Sequence, residues 1–189
     1  MSRAWTALPT ASIRIDAADR QGPLAAWRHA VGQGGFSPEP LPPDDLDGYR
    51  RLCDASPIRI AAGEEEATVH GFRDLIERGH LHVVQPDVAR AGGVTETMRI
   101  AAFAHAHNVP CVPHHYSTGI LGAVSVHVNA SIPNRLFQET PAPGEGSPLN
   151  TDLVVPAVKL DADGCIVIPP GPGLGIELDQ EVVDRYRVA

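Results

Sequence analysis

Five acidic residues and one histidine recur along this 189-residue chain at a nearly constant interval: Asp16, Glu39, Glu64, Asp87, His114 and Glu139. The steps between them run from 23 residues (39 − 16) to 27 (114 − 87). If three successive strands lie side by side, Asp16, Glu39 and Glu64 converge, and three carboxylates in a cleft repel one another unless a cation neutralises them. Hard oxygen donors suit magnesium, which keeps waters and accepts substrate oxygens directly. Asp87 and His114 make a second group. A carboxylate beside an imidazole fixes its tautomer and raises its basicity, which makes a candidate general base. His115, next in the chain, is the competing histidine. Glu139 would act as a hydrogen-bond donor or acid toward a substrate carboxylate, a role open to a carboxylic acid kept neutral by an apolar site. The alternative for each acid singly is that it caps the helix that follows; the regular spacing favours a shared site.

The elements that must carry these residues alternate. Short β-rich runs are expected at 11–16, 35–39, 57–61, 81–85, 109–113 and 135–139. Helices are expected at 23–31, 44–53, 67–78, 95–107 and 119–130, the second with an Asp at its cap and the third stopped by Gly79. On the 95–107 helix the apolar face is read as Met98, Ala101, Ala102 and His105. Strand and helix in turn imply parallel strands with helical crossovers. A doubly wound sheet gathers ligands at one switch point, whereas here every strand closes on a polar or titratable residue. That pattern fits a (β/α) barrel, whose site collects side chains from the C-terminal strand ends. The barrel part is assigned to 1–140. Residues 141–189 follow as a linker at 141–148, two short strands about a turn at 161–164, a Pro/Gly loop at 169–173 and a closing helix at 179–188.

Composition excludes some classes. The net charge of −8 repels phosphate backbones, so nucleic acid is not an expected partner. No apolar run approaches the roughly 18 residues that a bilayer requires, so no membrane partner is expected either. Residues 1–10 lack the apolar core of a secretory signal, and the expected location is the cytoplasm. Cys53, Cys111 and Cys165 show no paired spacing and are read as reduced.

The motifs then resemble one family in order and spacing. Ala61-Ala-Gly-Glu-Glu65 resembles the fifth-strand motif of the mandelate racemase group within the mandelate racemase/muconate lactonizing enzymes of the enolase superfamily. Gln85-Pro-Asp-Val-Ala-Arg-Ala-Gly-Gly-Val-Thr95 resembles the sixth-strand motif, Val112-Pro-His-His115 the seventh and Phe137-Gln-Glu139 the eighth. Pro170-Gly-Pro-Gly-Leu-Gly175 resembles the closing loop. The resemblance implies Glu64 as a magnesium ligand, Asp87 and His114 as a proton-transfer dyad, and Glu139 as the acid. An Asp–His dyad argues against the muconate-cycloisomerase group, which uses a lysine at the sixth strand. The stretches Pro42–Tyr49 and Gly63–Thr68 are more similar to acid-sugar dehydratases than to racemases.

The match begins at the third strand. The family's capping domain, its first two strands and its second-strand lysine pair are therefore not expected within this sequence. The fourth-strand motif is usually Glu-Glu-Pro with its first Glu on the metal. Here it is Phe36-Ser-Pro-Glu-Pro40, which puts Pro38 at the ligand position and leaves Glu39 to replace it. The third-strand Asp-Ala-Asn becomes Asp16-Ala-Ala18. The expectation is therefore a partial TIM-type barrel, strands three to eight, resembling the enolase C-terminal domain. The implied reaction is magnesium-dependent abstraction of the proton α to a carboxylate in an acid-sugar or hydroxy-acid substrate, as a dehydratase or racemase. The competing expectation is an inactive remnant or fragment that packs or binds a partner. Six strands leave two sheet edges, so a second copy or a partner chain is expected to cover them.

Overall fold

The computed structural model describes residues 5–6, 36–140, 147–159, 161 and 165–188. The strand expected at 11–16, with Asp16, and the helix expected at 23–31 lie outside the described residues. The chain divides into two compact units that interleave in sequence. One is Ser12–Val112 with Ile132–Leu136; the other is Met1–Ala11 with Pro113–Ser131 and Phe137–Ala189.

Strand β1 (Trp5–Thr6) belongs to the second unit. The first unit holds β2 (Phe36–Pro38), α1 (Leu46–Ala55), β3 (Arg59–Ala62), α2 (Thr68–Glu77), β4 (Val83–Val84) and α3 (Gly93–Ala106). Strands β2, β3 and β4 are parallel neighbours, with Pro38 opposite Ala61 and Ala61 opposite Val83. Parallel bridges continue the series from Val84 to Cys111 and from Cys111 to Arg135. The strands expected at 109–113 and 135–139 shrink to these bridges. Pro110 and Pro113 have no N–H, so between them only Cys111 and Val112 donate, to the carbonyls of Asn134 and Val84, both at 2.9 Å. The Asn134 amide closes the edge by donating to the carbonyls of Ala101 (3.1 Å) and Val109 (2.8 Å).

The helices bury one stripe each. Helix α1 starts one residue after Asp45, whose carboxylate accepts the Gly48 N–H, and buries Tyr49 and Cys53 one turn apart. Helix α2 buries Phe72, Leu75 and Ile76, the i, i+3, i+4 spacing of a single face. Helix α3 corrects the sequence expectation. Its buried face is Thr97, Ile100, Ala101 and Ala104, while Ala102 and His105 are exposed. The stripe runs through Ile100, the large apolar side chain, and Thr97 joins it because its hydroxyl donates to the Gly93 carbonyl within the helix. Burial pushes the thiols of Cys53 and Cys111 up to about 12, so both stay protonated.

The second unit holds α4 (Gly119–Ser131), α5 (Pro148–Thr151), β5 (Val154–Val155), β6 (Cys165–Ile166), β7 (Glu177–Leu178) and α6 (Gln180–Arg185). The two short strands expected to pair across the 161–164 turn take other partners. Strand β5 pairs with β7 and β6 with β1, both antiparallel. Leu153, Val154 and Val182 form a small core there, and Asp179 caps α6 through the Glu181 and Val182 N–H groups. Among the described residues no helix is long and apolar enough to cross a membrane.

Candidate functional site

Strand β2 ends at Pro38, and Glu39 then leaves the extended conformation with φ +40°. Its N–H still donates to the Ala61 carbonyl at 3.0 Å, so the ladder to β3 runs one residue past the strand. Its carboxylate turns onto the loop after β3. Oε1 accepts the Gly63 N–H (2.6 Å) and the Glu64 N–H (2.9 Å), and Oε2 accepts the Tyr49 hydroxyl (2.9 Å). Tyr49 is fully buried, and its hydroxyl is shared with the Leu41 carbonyl at 2.8 Å. Burial, and then the Glu39 charge beside it, push that hydroxyl well above its ordinary value, so it remains a proton donor.

Gly63 has φ +121°, and a Cβ there would lie 2.5 Å from the Phe72 ring. Glycine is thus required twice over, by conformation and by the ring beneath the loop. Glu64 and Glu65 follow. Asp87, after β4, is only 3% exposed; its Oδ1 accepts the Ala89 N–H (2.8 Å), and its carbonyl accepts from Arg90 and Ala91. Arg90 bonds Glu65 and so ties the turn after β4 to the turn after β3. Glu39, Glu64 and Asp87 therefore follow the C-terminal ends of three adjacent parallel strands.

His114 and Glu139 belong to the second unit, and Asp87 to the first. The Glu139 carboxylate accepts the His115 N–H at 3.0 Å, and the His114 carbonyl accepts the Ser125 hydroxyl at 3.2 Å. His115 is 3% exposed and packs its ring over Gly122, where a Cβ would lie 2.6 Å from the ring. Its Nε2 lies 3.3 Å from the Asn150 amide, which also donates to the Tyr116 carbonyl. The structure thus gives His115 a packing role, and His114 is the half-buried one of the pair.

By donor type, Glu64 suits a hard divalent cation. Pro38 offers no side-chain oxygen, the Glu39 oxygens are engaged by three donors, and Asp16 lies outside the described residues. Among the described residues no three His, Cys, Asp or Glu side chains gather as a metal site.

The family model of the enolase C-terminal domain-like proteins matches residues 2–182. The chain belongs to that family. It is similar to the D-galactonate dehydratase of Xanthomonas axonopodis pv. citri, 35% identical over 154 residues that make up 79% of this chain and 40% of that protein. It is similar to the D-galactarolactone cycloisomerase of Agrobacterium fabrum, 32% identical over 161 residues, 79% of this chain and 41% of that protein. Among solved structures, a mandelate racemase/muconate lactonizing enzyme from Jannaschia sp. CCS1 superposes with a TM-score of 0.75 at 31% identity, covering 89% of this chain and 43% of that one. The chain thus spans about two fifths of the length of these relatives. The parallel strands and their helices are part of the TIM-type barrel fold of this enolase C-terminal domain-like family.

Tyr49 carries no spacing signal; its sequence cue is an aromatic residue with a polar tip at a helical position four residues after a capping Asp. The Arg90–Glu65 tie joins residues of the fifth- and sixth-strand motifs and has no spacing cue of its own.

Proposed function

We propose that this chain carries the proton-transfer half of an acid-sugar dehydratase or racemase, acting on the carbon α to a carboxylate. The observation that supports this best is the ordered set of Glu64, Asp87, His114 and Glu139 in a chain similar to a protein named D-galactonate dehydratase. In this reading His114 accepts the α-proton through a ring nitrogen, in the role that the family resemblance implies for it together with Asp87. Glu139, whose carboxylate bonds the His115 N–H, meets the substrate carboxylate. Asp16 and Glu64 are assigned to hold magnesium, which when bound supplies positive charge for the developing enediolate oxygens. Loss of the β-hydroxyl gives a dehydratase; return of the proton to the other face gives a racemase.

The test is formation of 2-keto-3-deoxy acid from D-galactonate and related aldonic acids with magnesium present. The expected result is turnover that His114→Asn removes. A second reading is a non-catalytic protein, and it is favoured by Pro38 at the position where the family places a metal ligand. Absence of turnover on every acid sugar, together with absence of magnesium binding, would establish that reading.

A further inference from the structure

We infer that Glu39 is a positioning residue for Glu64, acting through the backbone of the Gly63–Glu64 turn. The inference rests on the functional reading above only where it speaks of metal. Its structural part stands on the hydrogen bonds alone.

Four contacts converge on Glu39. Its N–H is bonded to Ala61, one carboxylate oxygen takes the N–H groups of both Gly63 and Glu64, and the other takes the buried Tyr49 hydroxyl. The backbone pays a cost for this. A φ of +40° is unfavourable for a residue with a Cβ, and the next residue is Pro40, which favours an extended conformation before it. Such strain persists only where the surroundings over-determine it. The strained conformation is the one that swings the side chain off the strand direction and across to the neighbouring loop.

The consequence falls on Glu64. Its Cα follows Gly63, whose φ is +121° and whose carbonyl accepts the Glu66 N–H at 3.2 Å, with the Phe72 ring on one side. The N–H of Glu64 and that of Gly63 before it, the two donors leading into that Cα, are fixed by one oxygen of Glu39. A charge-assisted pair of this kind sets the direction in which the Glu64 side chain leaves the backbone. An oxygen accepting two N–H groups, beside a second oxygen accepting a hydroxyl, is committed to that work. Glu39 thus differs from Glu64 in kind, although the interval between strand ends makes the two look equivalent.

The test compares Glu39→Ala with Glu39→Gln in this chain. Gln keeps a carbonyl oxygen that accepts both N–H groups; Ala keeps none. The first readout is hydrogen exchange at the Gly63 and Glu64 amides, with Val84 and Val112 as internal references. Ala is expected to speed exchange at Gly63 and Glu64 by about tenfold or more and to leave the references unchanged, and Gln to stay within about threefold of the parent. The second readout is Mn2+ affinity by electron paramagnetic resonance, expected to weaken by about tenfold in Ala and much less in Gln. Unchanged exchange at both amides in Glu39→Ala would overturn the inference. So would loss of Mn2+ binding as complete in Gln as in Ala with both amides still protected, which would make Glu39 a ligand itself. A parent chain that binds no Mn2+ would refute the functional reading, and the exchange result would still decide the positioning role.

Discussion

Two carboxylates, Glu39 at the end of β2 and Glu139 in the irregular segment after the Arg135 bridge, each accept a backbone N–H from the loop that carries a candidate site residue, but different partners surround them at these two corners. Around Glu39 the anchor is charged, with two N–H groups and a buried phenol on one carboxylate. Around Glu139 neutral amides take part. Gln138 donates to the Glu139 carbonyl (2.8 Å), Asn129 donates to Gln138 (3.1 Å), and Asn150 meets His115. Charge-assisted hydrogen bonds are roughly twice as strong as neutral ones, and the Glu39 carboxylate accepts three of them. The difference teaches that a carboxylate at a strand end is not a site residue by position alone; its partners decide.

The first corner breaks most completely at Phe72, which is fully buried under Gly63. Phe72→Ala is expected to cost about 3–5 kcal/mol of unfolding free energy, the range for a large-to-small core change. Denaturant titration measures it, and a loss below about 1 kcal/mol would mean that the loop does not rest on the ring. Tyr49→Phe keeps the ring and removes the hydroxyl donated to Glu39. The expected loss is about 1–2 kcal/mol, the cost of leaving a part-buried acceptor short of a partner. A neutral outcome would show that the phenol does not brace the carboxylate.

In the second corner Gly122→Ala sets two effects against each other. Alanine is favoured over glycine in a helix by about 1 kcal/mol, whereas overpacking costs about 1–3 kcal/mol. With the new Cβ 2.6 Å from the His115 ring, overpacking wins, and the net expectation is a loss of about 1 kcal/mol in thermal unfolding. A gain would show that the ring yields. The smallest effect lies at the other end of β3. His82 Nδ1 accepts the Ile60 N–H at 3.0 Å, and burial, then the Arg59 charge, hold its pKa below the ordinary value. The neutral ring is therefore the folded form. Its contribution is fully present above the unfolded value near 6.5 and is lost as pH falls through the lower folded value. Comparing the parent with His82→Asn across that range, the parent is expected to lose stability more steeply on acidification.

Much of this architecture is legible in the sequence because periodicity and turn chemistry agree. The α2 limits, the Asp cap of α1 and the order of the parallel strands all follow from local patterns. Strand length is not legible at 109–113, because Pro110 and Pro113 read as part of an apolar run and yet remove the donors that a ladder needs. The α3 face is misread by one position because Thr97 hides its hydroxyl in the helix and counts as buried. Glu39 is the instructive case. On an extended strand successive side chains alternate between faces, and only a left-handed φ, which spacing does not encode, turns Glu39 onto Gly63 and Glu64.

The most direct test of the account is exchange of the α-proton of D-galactonate for deuterium in D2O with magnesium, followed by NMR for the parent chain and for His114→Asn. Deuterium incorporation by the parent is expected, falling at least about a hundredfold in the variant, the usual order for loss of a general base. Exchange that continues unchanged in His114→Asn, or no exchange by the parent with any aldonic acid, would contradict it.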